Sequence, residues 1–283
     1  MKLTSSIRPV HGLIFLFKWM DSDFSDGKPI TDPAVLDHIF FARQVIHNAC
    51  ATQALINILM NCSLNDIKLG TMLEEFKIFT SSFDSDLKGE SLSNACQIRS
   101  VHNSFSRDQI FEFDNQDMKR DKKDKEAAYH FISFVPINGR VIELDGLKHA
   151  PFDLGPIPEG QDWTQVVSDH LQRRIAKYSD GEIHFNLMAV VSDRKMIYEK
   201  QLAAINAAGN PNSMEVVRLQ QLISDEDAKR KRSQIDNIRR RHNFLPMIIE
   251  ILRALAAQGK LDECFQLAKQ KTIDNAKKQK LKQ

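Results

Sequence analysis

Tyr129–Gly146 reads YHFISFVPINGRVIELDG. Two runs rich in aromatic and β-branched residues flank Asn138-Gly139, a pair suited to the positive φ angles of a two-residue hairpin turn. That turn sets Ile137 opposite Arg140, hence Ile132 opposite Asp145 and His130 opposite Leu147. Side chains alternate with period two, which places His130, Ile132, Asp145 and Leu147 on one face. His130 and Asp145 are then diagonal neighbours within reach of a hydrogen bond. An imidazole held by a carboxylate through one nitrogen offers the other for proton transfer with a thiol. Taken singly, the same residues also fit a strand histidine beside a turn at Asp145-Gly146. Pro136 removes one donor from the ladder.

Upstream, Gln44–Asn61 reads QVIHNACATQALINILMN. Leu55, Ile58, Leu59 and Cys62 have helical spacing, and Asn48 is a suitable N-cap, so a helix is predicted to begin near Asn48 with Cys50 in its first turn. Open backbone N–H groups and the helix dipole at that end favour a thiolate, and the same N–H groups suit an oxyanion. Gln44 supplies a neutral amide donor for that oxyanion. Cys50 alone equally fits a small buried residue at a helix start. Cys62 is read as core. His11, His38, His47, His102, His149, His170, His184 and His242 have no comparable carboxylate geometry in the sequence and are read as surface or core residues.

Around these two stretches the signals are mixed. Val10–Trp19 is an apolar strand-like run, followed by a polar loop over Met20–Pro33. Leu73, Phe76, Ile78 and Phe79 suggest a second amphipathic helix. Asn115–Ala128 (NQDMKRDKKDKEAA) is almost wholly polar and reads as an exposed, disordered loop. His184–Val191 looks like one more strand. Helices with antiparallel strands predict an α+β domain.

From Asp193 onward strand signals vanish. Lys195–Ala208 is helical in composition until Gly209-Asn210-Pro211 breaks it. Helix resumes near Ser213 with Val217, Leu219, Leu222 and Ile223 as apolar positions. A stripe then runs from Ile235 through Ile238, His242, Leu245, Ile248, Ile249 and Leu252 to Leu255, with Pro246 as a possible kink. Gly259 suits a C-cap, and Leu261, Cys264, Phe265 and Ala268 share a face of a last helix. The predicted organisation is a domain over residues 1–195 and a helical extension over 196–283.

The 283 residues carry a net charge of +2. From Lys229 onward there are 15 Lys/Arg against 5 Asp/Glu, a net +10, and the remainder is −8. An acidic body with a basic tail implies different partners for the two parts. Arg239-Arg240-Arg241 and Lys229–Arg232 are read as solvated faces rather than a nucleic-acid surface. Four scattered cysteines without a CxxC pair disfavour both a disulfide framework and a zinc site, so no metal or cofactor is expected. No apolar run is long enough to span a bilayer, and no membrane partner is expected.

Gln44–Asn61, Tyr129–Phe131 and GRVIELDG at Gly139–Gly146, with HGLIFLFKW before them and GEIHFNLMAVVSDRK after them, resemble the ubiquitin C-terminal hydrolase family of thiol peptidases. IRRRHNFLPMIIEIL and the Lys-rich end resemble its proteasome-associated type, which carries a C-terminal extension. The resemblance covers nearly the whole chain. It implies a knotted α+β domain with a central antiparallel sheet flanked by helices, followed by an all-α extension. It makes Cys50 the nucleophile, His130 the general base and acid, and Asp145 its orienter, with Gln44 and the Cys50 N–H as oxyanion donors. The implied reaction is hydrolysis after ubiquitin's C-terminal glycine, and the implied substrates are ubiquitin and its conjugates. A crossover loop at Asp114–Ala128 would limit what passes the site. Ser213–Gln283 would bind an adaptor on a proteasomal ubiquitin receptor, a related adaptor would place the chain in a chromatin-remodelling complex, and localisation would be cytoplasmic and nuclear. The family carries several dozen residues before the strand matching Val10–Trp19, where this sequence has Met1–Pro9. The domain is therefore read as N-terminally truncated, with a catalytically impaired ubiquitin-binding scaffold as the alternative.

Overall fold

β1 (Val10–Lys18) is apolar along nearly its whole length, which fits a strand covered on both faces. It lies between β3 (Tyr129–Ile137) and β6 (Asn186–Val191), antiparallel to both. β4 (Arg140–Leu144), β5 (Phe152–Pro156) and the short β2 (Lys28–Pro29) extend the sheet, in the order β2-β5-β4-β3-β1-β6. The computed structural model describes residues 9–19, 27–46, 48–62, 67–106, 129–178, 184–208 and 214–280, with side chains through 273. The charged segment at 114–128, the break at 209–211, His47, residues 1–8 and residues 281–283 lie outside these.

The hairpin has the register read from its turn. Asn138 (φ 49°) and Gly139 (φ 73°) both have positive φ, and Ile137↔Arg140 through Ser133↔Leu144 pair in order. Pro136 stands beyond Phe134, the last β3 residue paired with β1, so its missing N–H costs that second ladder nothing. β2 was not anticipated: it interrupts the loop predicted over Met20–Pro33 by pairing with β5.

Helices cover both faces of the sheet. Val167 and Leu171 of α6 (Trp163–Ile175) join Leu13, Phe15, Phe17, Ile132 and Phe134 on one side. Ala54 and Ile58 of α2 (Cys50–Asn61) join Ile14, Val135, Ile142 and Leu144 on the other. α2 approaches β1 so closely that a Cβ on Gly12 would sit 2.5 Å from Ile58 Cγ2.

Three more helices, α3 (Thr71–Phe79), α4 (Ser85–Asn94) and α5 (Cys96–Ser104), follow a single turn, α1 (Pro33–Leu36). Ile56 and Met60 of α2 pack with Leu92 of α4, Ile98 of α5 and Phe40, and Leu73 and Phe76 of α3 border that cluster. α2 is thus buried on two sides. This corrects the single apolar stripe read from Leu55 and Leu59: Leu55 is 39% exposed, while Ile56 and Met60 are buried. Ile78 and Phe79 are likewise exposed rather than core, because α3 covers the cluster only through its other face.

Asp193 caps α7 (Arg194–Ala207) by accepting the Lys195 N–H. It also pairs with Arg230 of α8 (Met214–Arg241), while Lys195 Nζ meets Asp227 at 2.7 Å. Val216 and Leu219 are the buried residues of α8, whereas Val217 is exposed. Two compact units divide within α8, between Lys231 and Arg232. In the second, the long stripe is broken rather than kinked: α8 ends at Arg241 and α9 (Leu245–Ala257) restarts with Pro246 in its first turn. A proline there loses no helical hydrogen bond. Gly259 (φ 69°) closes α9, with Lys260 N–H donating to Leu255 O and Gly259 N–H to Ala256 O, a Schellman turn leading into α10 (Leu261–Lys280). Ile248, Ile249, Ile251, Leu252 and Phe265 stand exposed. No described helix is long and apolar enough to cross a membrane.

The close approach of α2 to β1 is directly testable. Gly12→Ala is expected to lower the unfolding free energy by about 1–3 kcal/mol through overpacking. Combined with Ile58→Ala, which removes the opposing atoms, the loss should be smaller than the sum of the two single losses. Urea titrations of the three variants measure this, and strict additivity would contradict the contact.

Candidate active site

Cys50 is the first residue of α2, and Ala49 occupies the N-cap with no side-chain hydrogen bond. The expected Asn48 cap is not formed: the chain turns one residue later, with Ala49 N–H donating to Ile46 O. The first-turn N–H groups are therefore left open towards the thiol. Burial pushes the Cys50 thiol up, but a hydrogen bond with His130, one with the Phe131 backbone, the His130 charge and one with the Ala51 backbone together hold it below the ordinary thiol range.

His130 sits near the start of β3 and is buried. Its Nε2 lies 2.7 Å from Asp145 Oδ1, which leaves Nδ1 for the thiol. Burial disfavours the imidazolium, yet the hydrogen bonds with Asp145 and Cys50 and the charges of both raise His130 to about 9. Asp145, just past β4, is equally buried, and its Oδ1 also accepts the Leu147 N–H at 3.0 Å. That second bond fixes the carboxylate in the orientation the imidazole meets. These contacts favour the charged form of each partner, thiolate on Cys50 and imidazolium on His130.

Gln44 reaches the same region by a different route. Its backbone N–H donates to Gly146 O at 2.8 Å, beside Asp145. A Cβ on Gly146 would lie 3.0 Å from Gln44 Cβ, so a bare backbone at 146 allows this approach. The Gln44 side chain donates from Nε2 to Ile46 O at 2.9 Å, across the turn that leads to Cys50. The structure thus brings Cys50, His130 and Asp145 into one hydrogen-bonded line and holds Gln44 at its edge with its amide turned to its own chain.

Three residues that position the site escaped sequence reasoning. Asn61 Oδ1 accepts the Phe40 N–H at 2.8 Å, and Asn61 Nδ2 donates to Phe40 O at 2.7 Å. Asn57 Oδ1 accepts the Ala42 N–H at 3.1 Å, and Gln53 Nε2 donates to the carbonyls of Ala42 and Arg43. These amides recur at i, i+4 and i+8 on α2, so a helix face serves as the hydrogen-bonding partner of the extended segment that delivers Gln44. The spacing was visible in the sequence, but nothing local identifies the segment it faces.

Of the other described histidines, His38, His149, His184 and His242 are exposed, and His11 and His102 bond to hydroxyls. His11 is hydrogen-bonded with Ser192 Oγ at 2.7 Å, and His102 Nδ1 with Thr52 Oγ1 at 2.8 Å. His170 departs from the sequence reading, since its Nε2 faces Glu143 Oε2 at 3.1 Å across α6 and β4. Among the described residues no group of three His, Cys, Asp or Glu side chains is arranged to hold a metal ion.

Residues 1–176 match the family described as ubiquitin carboxyl-terminal hydrolase, family 1, and residues 216–261 match a second description, ubiquitin carboxyl-terminal hydrolases. The chain is 43% identical over 271 residues to ubiquitin carboxyl-terminal hydrolase ubh-4 of Caenorhabditis elegans, covering 94% of this chain and 82% of that one. It is 34% identical over 300 residues to ubiquitin carboxyl-terminal hydrolase isozyme L5 of Dictyostelium discoideum, covering 93% and 84%. Among solved structures it resembles Trichinella spiralis UCH37 bound to ubiquitin vinyl methyl ester, with a TM-score of 0.65, 41% identity and coverage of 82% and 84%.

The raised His130 implies a defined pH dependence of stability. A histidine raised from about 6.5 to about 9 contributes stability that is complete below about pH 6.5 and fades as pH rises through about 9. Asp145→Asn removes the main partner and should destabilise the fold more at pH 6 than at pH 10, by about 1–3 kcal/mol. Denaturant unfolding at both pH values measures the difference, and equal losses would contradict the His130–Asp145 coupling.

Proposed function

This chain belongs to family 1 of the ubiquitin carboxyl-terminal hydrolases, deubiquitinating cysteine peptidases, and we propose that it cleaves the bond after the C-terminal glycine of ubiquitin using Cys50, His130 and Asp145. The observation that carries the reading is the hydrogen-bonded line from the Cys50 thiol through His130 to Asp145. The thiolate attacks the scissile carbonyl, and the resulting oxyanion is met by the Cys50 N–H and by the Gln44 amide once it turns from Ile46 O. The His130 imidazolium gives its proton to the leaving amine, and an acyl-enzyme remains on Cys50. Water, deprotonated by His130, then releases ubiquitin, with Asp145 keeping the imidazole oriented through both steps.

Cys50→Ala should abolish cleavage of a ubiquitin C-terminal reporter while leaving cooperative unfolding in place. Ubiquitin with an electrophilic C-terminus should label the unmodified chain at Cys50. Tight ubiquitin binding without labelling would favour a non-catalytic scaffold, and full turnover by the alanine variant would refute the assignment.

We further propose that the C-terminal extension recruits the enzyme to an adaptor on a proteasomal ubiquitin receptor, and in the nucleus to a chromatin-remodelling complex. Such recruitment would place the chain in both cytoplasm and nucleus. Support comes from the family match over 216–261 and from the apolar residues that α9 leaves exposed. Replacing Ile248 and Leu252 together by Asp should weaken co-purification with proteasomes at least tenfold without changing reporter turnover. Undiminished co-purification would rule out this face.

A further inference from the structure

Beneath the His130–Asp145 pair lies a second buried polar cluster that the reaction does not use. Glu143, His170 and Arg174 are each at most 3% exposed. Arg174 Nη1 donates to Glu143 Oε1 at 3.1 Å, and His170 Nε2 faces the other carboxylate oxygen at the same distance. Both partners come from one face of α6, a turn apart. Glu143 pairs in register with Phe134, in a core where an apolar residue would pack without desolvating a charge. Buried charge is therefore maintained here against an easier alternative.

What the cluster touches suggests why. The Arg174 guanidinium carbon lies 4.7 Å from the centre of the Phe17 ring. Phe17 is the cross-strand partner of His130, and its ring meets the imidazole edge-on at 5.8 Å and 81°. His130 is thus held by Asp145 on Nε2, faces the Cys50 thiol, and rests on Phe17, which Arg174 backs. The charged and titratable groups around it are Cys50 from α2, Asp145 and Glu143 on or beside β4, and Arg174 with His170 from α6. β1 presents the neutral Phe17, and His184, before β6, contacts the neighbouring Tyr129.

We propose that the Glu143–Arg174 pair is a positioning device for His130: Arg174 fixes the imidazole through Phe17, and Glu143 cancels the guanidinium charge so that the imidazolium is tolerated. The inference rests on reading His130 as the proton-transfer group. From the two ring distances the guanidinium lies on the order of 10 Å from the imidazole. An unopposed unit charge at that separation, in a medium of effective dielectric about 20, shifts a titration by about one pH unit, a tenfold change in proton affinity.

The test is a histidine NMR titration of the full chain, with the His130 signal assigned by its loss in His130→Asn. Glu143→Gln keeps the shape of the side chain and one acceptor oxygen for Arg174 but removes its charge. It should lower the His130 titration by up to about one unit, and the alkaline limb of kcat/KM on a ubiquitin reporter should move with it. Glu143→Gln combined with Arg174→Gln removes both charges and should return the titration to within about 0.3 unit of the unmodified chain, while kcat stays about tenfold low because Phe17 has lost its backing. Arg174→Lys retains the charge but not the planar contact, and should lower kcat several-fold at constant KM without moving the titration. Coincident titrations for Glu143→Gln and the unmodified chain, or equal shifts in the single and double variants, would overturn the inference. Should Glu143→Gln fail to fold, an unchanged kcat in Arg174→Lys would overturn it by itself. A reporter profile indifferent to His130→Asn would instead sink the reading of His130.

Discussion

The amide side chains of Gln53, Asn57 and Asn61 stand in for a β-strand, and the site depends on that substitution. The Phe40–Arg43 stretch runs through the interior with no strand beside it among the described residues, yet its buried N–H and C=O groups need partners. α2 supplies five of them from one of its faces, and Ser85 O of α4 accepts the Arg43 N–H. This binds the helix that begins with Cys50 to the segment that ends with Gln44, over about two helical turns rather than at one contact. Because the amides satisfy backbone groups, removing one leaves a buried carbonyl or N–H stranded, which costs more than the bond itself contributes.

The sheet contributes the other half of the site with the same economy of parts. A turn with two positive φ angles sets the register of β3 and β4, and that register carries His130 and Asp145 to the same end of adjacent strands. The strand β1 runs beneath both halves. Its Gly12 lets α2 settle against one face, and its Phe17 supports the imidazole on the other. A single central strand therefore indexes the helix that bears the thiol against the hairpin that bears the imidazole.

Legibility in the sequence followed the range of the interactions. The hairpin register and the place of Cys50 in a first helical turn were readable because each depends on a few consecutive residues. The buried faces of α2 were misread because a second layer, α3 to α5, adds a contact surface that no single-helix periodicity reveals. Pro246 was readable as a disruption, but whether it kinks or restarts a helix depends on the His242–Phe244 turn before it, where Asn243 Oδ1 accepts the Leu245 N–H. The pairing of His170 with Glu143 joins α6 to β4 across 27 positions, and no local pattern announces it.

The uncapped start of α2 shows how local stability and chemistry oppose each other here. An Asx or Ser side chain at the N-cap stabilises a helix by about 1 kcal/mol by accepting a first-turn N–H. Ala49 forgoes that bond, although Asn48 is only one residue away. A capping oxygen would occupy the donors that hold the Cys50 sulfur low in pKa and would place partial negative charge where the thiolate needs none. The amide ladder makes the omission tolerable, because it anchors the helix from Gln53 to Asn61 independently of its first residue. The proposed nucleophile thus sits on the least satisfied turn of a helix that is buried on two sides.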